Sequence, residues 1–131
     1  MPRRRPVRAQ RTGKPIPQVA RVSAATSRAV STFERKRLDP GAVARALAHW
    51  SRFVHGPLSP IARHELGSGC PCCEDGSADW NRAVLKQALH ALPATAAREF
   101  FELVRPLDEL YLARSVPTFD NAELRAMLTV Q

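Results

Sequence analysis

Aromatic residues are scarce in this chain, 6% of its 131 positions, and lysine is scarcer: Lys14, Lys36 and Lys86 are three of twenty basic residues. With so few large rings the core is modest, and the length suits one domain, not two. No stretch approaches the roughly 18 consecutive apolar residues of a membrane span, and the N-terminus lacks the apolar segment of a secretory signal. No membrane partner is therefore expected. Three cysteines, an odd and clustered set, do not make a disulfide framework, which points to a reducing, cytoplasmic setting.

Catalytic signatures are equally thin. There is no glycine-rich phosphate loop and no nucleophile motif. His49, His55, His64 and His90 are scattered, and Glu65, Glu74, Asp75, Asp79, Glu99, Glu102, Asp108 and Glu109 read as helix-surface and capping acids. The expectation is a non-enzyme with no small-molecule substrate.

Charge is what the chain has, and it is partitioned. Residues 1–37 carry eleven basic groups against one acid, Glu34, a net +10, and residues 38–131 carry nine against eleven, a net −2. In the first seventeen residues, prolines at 2, 6, 15 and 17 block regular helix. The cations there, Arg3, Arg4, Arg5, Arg8, Arg11 and Lys14, repel one another, so this tail is expected to be disordered in isolation. Residues 18–131 are expected to form a single helical domain.

Within it, Val19, Val22, Thr26, Ala29, Val30 and Phe33 share one helical face, predicting a basic amphipathic helix over 18–38 that is semi-independent of the rest. On its far side Arg21, Arg28 and Arg35 recur every seven residues, about 10.5 Å apart along the axis. "DPGAVARALAHWSRFVHGP" reads as a second helix with Asp39 as cap, Pro40 in the first turn, and Val43, Leu47, Trp50 and Val54 inward. A short helix over "SPIARHELG" follows, then the cysteine loop at 67–77, then a helix capped by Ser77 or Asp79. Next comes a strongly apolar segment that Pro106 should kink or split. A last helix has a capping box from Asp120 to Glu123 and a staple of Phe119 on Leu124. Trp50 and Trp80 read as core anchors. With no strand alternation, the fold expected is all-α: a small bundle of five or six helices with a disordered basic tail and a cysteine-containing loop.

The loop, "HELGSGCPCCEDGSADW", holds one CxxC pair, Cys70 and Cys73, with Cys72 between. Two thiolates so spaced suit half of a tetrahedral zinc site, and His64 with Cys72 would complete it; His55 or His90, or a second chain, are alternative sources. The loop resembles the CPxC knuckle of zinc-ribbon proteins, without the second knuckle such a ribbon needs. Any zinc would be structural. A redox role fits less well, because Glu74 and Asp75 follow directly and disfavour thiolate. The remaining reading is three small side chains in a structural turn.

The arginine-dense tail and helix suit a phosphate backbone, and arginine-rich segments commonly fold on RNA. The expected partner is nucleic acid, RNA ahead of DNA, bound through Arg3, Arg4, Arg5, Arg8, Arg11, Lys14, Arg21, Arg28 and Arg35 with little base preference. The alternative is an adaptor or regulatory subunit whose helical body binds a protein while the tail docks on an acidic surface. The tail also fits a solubilising arm or, apart from its prolines, an organellar transit peptide.

Overall fold

The computed structural model describes residues 16–58, 61 and 77–129. The tail cations Arg3, Arg4, Arg5, Arg8, Arg11 and Lys14 lie outside the described residues, as do His64, Cys70, Cys72 and Cys73. Among the described residues the chain is all-helical, with five helices and no strand: α1 (Ala24–Arg37), α2 (Ala42–His55), α3 (Ala78–Ala91), α4 (Ala94–Arg114) and α5 (Ala122–Thr129). None of them is long and apolar enough to cross a membrane.

The helix starts are set by side chains that capture the first free N–H groups. Ser23 caps α1, its Oγ accepting from Thr26 N at 3.2 Å. The helix thus begins at Ala24, not near residue 18 as the apolar period suggested. Arg21 takes a left-handed φ of 65° and breaks any upstream continuation. Val19 is nonetheless buried, packing from extended chain onto α1.

Asp39 does not cap α2 with its side chain. Its carbonyl accepts from Ala42 N at 3.0 Å, closing a turn around Pro40 and Gly41. Gly41, at φ 83° and ψ −1°, occupies the glycine position of a type II turn. A Cβ there would lie 2.8 Å from Pro17 Cδ. The cap comes instead from Glu34, whose buried carboxylate accepts from Gly41 N at 2.9 Å and Val43 N at 2.8 Å.

Ser77 caps α3, accepting from Trp80 N. Pro106 neither splits nor ends α4, which runs unbroken through it for 21 residues. At α5 the reciprocal pair is Thr118 with Asn121, not Asp120 with Glu123: Thr118 N donates to Asn121 Oδ1 at 2.8 Å, and Asn121 N to Thr118 Oγ1 at 3.2 Å. The expected staple is absent, since Phe119 is 95% exposed while Leu124 is buried.

The core gathers where α2 packs on α3 and α4. Val43, Trp50 and Val54 of α2 meet Val84 and Leu85 of α3 and Phe100, Val104 and Tyr111 of α4, with Ile61 also fully buried. Trp50 and Tyr111 rings lie 5.5 Å apart, tilted at 43°. Inside this apolar shell is an ion pair. Asp108 of α4 accepts from Arg82 Nε at 2.9 Å and Nη2 at 2.7 Å, and from Trp50 Nε1 at 3.0 Å. Arg82 is 0% exposed and Asp108 3%. Asp108 is therefore not a surface acid, and one carboxylate ties three helices together.

Candidate nucleic-acid interface

Of the sequence-selected arginines, Arg21, Arg28 and Arg35 fall within the described residues, and all three are exposed. Arg28 and Arg35 stand two turns apart on α1, as their spacing requires. Arg21 precedes the helix in its own left-handed turn, so the line of three is reduced to a helical pair with a third cation at its entrance. Lys36 and Arg37 extend the pair through the last turn, where cations also complement the helix dipole. None of these five cations has a carboxylate within ion-pair distance among the described residues.

The acids closest to α1 are engaged elsewhere. Glu34 is committed to the α2 cap. Glu99 of α4 reaches the other end of α1, accepting from Ser23 N at 2.8 Å, from Ser23 Oγ at 2.9 Å and from the Thr26 hydroxyl. Hydrogen bonds from Thr26 and then Ser23 hold the Glu99 carboxyl below its ordinary 4.5. A carboxylate depressed in this way contributes stability that is present above its unfolded value and lost as pH falls through the folded one. Wild type is therefore expected to lose stability below pH 4.5 more steeply than Glu99→Gln. Denaturant midpoints across the acid range check this; parallel curves would count against it.

Residues not selected from sequence add a second feature. The end of α1, the first half of α2 and the first turn of α3 enclose a cleft of about 400 Å³, lined by Arg37, Asp39, Arg45, His49, Trp80 and Asn81 among others. Trp80 is 47% exposed, so of the two expected tryptophan anchors only Trp50 is in the core. His49 Nδ1 accepts from Arg52 Nη2 at 2.7 Å, which orients the ring on the α2 surface. Asn81, almost fully buried, donates from Nδ2 to Ser77 O at 2.8 Å and fixes the floor at the start of α3. The i, i+4 spacing of Arg45 and His49, which sets them on one face of α2, is the one local signal for this cleft; the missing piece was Trp80, whose apolar character assigned it to the core.

A larger groove of about 930 Å³ lies between α3, α4 and α5. Its apolar lining includes Leu89, Phe101, Leu124 and Met127, with Lys86 and Arg98 among its charged residues.

No protein-family model matches the chain, and neither a curated protein nor a solved structure matches it.

Proposed function

We propose that this is a small intracellular, non-enzymatic nucleic-acid-associated protein that grips the phosphate backbone, RNA ahead of DNA, with its N-terminal arginines and the outer face of α1. The carrying observation is the partition of charge: net +10 in residues 1–37 against −2 in the remainder. Support comes from Arg28, Arg35, Lys36 and Arg37 being exposed and outside any ion pair among the described residues. Cations not neutralised internally are available to displace condensed counterions, which supplies affinity that falls steeply with salt. A structural zinc held by Cys70, Cys72, Cys73 and His64 belongs to the same proposal, as the device that closes the loop before α3.

Removing residues 1–14 takes away six cations and spares Pro17, which lies close to Gly41. With about 0.7 of a counterion released per neutralised phosphate on a single strand, the log–log salt slope is expected to become shallower by up to about 4. Binding isotherms at several salt concentrations read this directly. Salt-independent binding, or none at low salt, would overturn the proposal.

The apolar groove between α3, α4 and α5 favours the second reading, an adaptor whose body binds a protein while the tail docks on an acidic surface. Nuclease treatment separates the two, because partners bridged by nucleic acid are lost and those seated in the groove are kept.

A further inference from the structure

We propose that the cleft at Trp80 is a base-stacking site for single-stranded nucleic acid, with the indole as the stacking surface and Arg37 and Arg45 as phosphate partners. The inference rests on the backbone-binding reading and deepens it, from a phosphate grip to a site that takes one unpaired base.

The chain is poor in aromatic residues, at 6%, and places Trp50 and Tyr111 fully inside. Burial of so large a ring is strongly favourable, yet Trp80 is left 47% exposed. Unlike Phe119, which stands 95% exposed beyond the end of α4, it opens into a concave space of about 400 Å³ shared with two arginines and a histidine. That volume is within the range of small-ligand sites, about 300–1,000 Å³.

The combination of groups selects the ligand. Bases stack on exposed aromatic faces, and a positively charged groove tracks the adjoining phosphates. Arg37 at the end of α1 and Arg45 on α2 line the same cleft and supply the charge, while Asp39 adds acceptor oxygens suited to a base edge. A lipid-inserting or wholly apolar peptide ligand would desolvate the charged groups of Arg37, Asp39 and Arg45 without pairing them. A duplex presents its bases already stacked and paired, so an indole fixed in a cleft has no access to them; a single strand does not carry that restriction. The cleft is built on packed elements: the Trp80 backbone N–H is bound by the Ser77 cap, and α2 with α3 is the most extensively packed helix pair. The same cleft would draw the tail-bound strand across the body, since Arg37 belongs both to the cleft and to the basic end of α1.

The test uses the full chain, a single-stranded oligouridylate of about twelve nucleotides, an RNA duplex of the same length, and uridine monophosphate. Trp80→Ala is expected to weaken oligouridylate binding roughly 5- to 150-fold, the range carried by stacking one base on an aromatic ring. Duplex affinity and the salt slope should be unchanged, Trp80→Phe should recover most of the loss, and oligouridylate should quench emission that Trp80→Phe lacks. If wild type binds with a steep salt slope and Trp80→Ala binds equally well, the stacking site is overturned while the backbone grip stands. Absence of any oligouridylate binding at low salt overturns both. Equal losses on single strand and duplex also overturn the stacking site, and the monophosphate binding as tightly as the oligomer overturns the assignment to a strand.

Discussion

Alanine at position 108 is expected to destabilise the protein by about 3–5 kcal/mol, the cost of removing one partner from a buried ion pair. This is a large share of the roughly 5–15 kcal/mol that holds a domain of ordinary stability together. Among the described residues Asp108 is the only carboxylate on Arg82, which is 0% exposed and bound to it through two of its nitrogens. Its Oδ1 also receives Trp50 Nε1. Truncation would strand a guanidinium and an indole N–H in the centre of the α2–α3–α4 packing, where neither reaches water. Arg82 Nη1 already has no hydrogen-bond partner among the described residues, so the cation has little spare solvation to draw on. Replacing both charges, as Arg82→Met with Asp108→Leu, removes the stranded cation and leaves the Trp50 N–H, a loss of about 1–3 kcal/mol. The double variant is therefore expected to be more stable than Asp108→Ala alone. Urea unfolding of the three proteins measures this, and an Asp108→Ala variant within 1 kcal/mol of wild type would contradict it.

The fold class, the Ser77 start of α3 and most of the core were legible in the sequence because they follow from periodicity and capping residues. What was hidden shares one cause. Asp108 continues the stripe of Phe100, Val104 and Tyr111, and Glu34 lies one turn after Val30, so both acids occupy buried positions of their helices. Hydropathy assigns such residues to the surface because a lone buried carboxylate is costly; here each is matched by donors from another segment, which no local pattern displays. Trp80 and Arg82 show the same inversion. They sit on either side of the buried Asn81, Leu85 and Ala88 face, at about 100° per residue. Apolar character favours Trp80 for the interior, but Asp108 draws Arg82 in and the indole is left at the cleft. The nucleic-acid reading was legible as charge in residues 1–37; its stacking surface was not, because the cleft is assembled from three helices.

Glu34 offers the second large effect. Its side chain leaves the last turn of α1 and caps α2, with Oε1 on Gly41 N and Oε2 on Val43 N. Those two amides are the cap and second positions of α2, and Gly41 and Val43 are both buried. Gly41 has no side chain to do this work, and Asp39 is occupied as the start of the turn only through its carbonyl. Glu34→Ala would leave two buried donors unpaired at about 1–3 kcal/mol each, and with partial rewetting the expected loss is about 2–4 kcal/mol. Glu34→Gln keeps one acceptor oxygen and should lose about half as much. Amide hydrogen exchange gives the sharper reading, since the Gly41 and Val43 amides should lose protection in Glu34→Ala while Trp50 and Val54 amides, deeper in the same helix, keep theirs. Uniform loss along α2 would mean that Glu34 holds the whole helix in place, and unchanged protection at Gly41 and Val43 would show that the carboxylate is not their partner. The carboxylate also sets how α1 meets α2 across the 38–41 turn, and hence where Arg37 stands relative to Arg45. The capping acid thereby links the stability of the bundle to the geometry of the cleft.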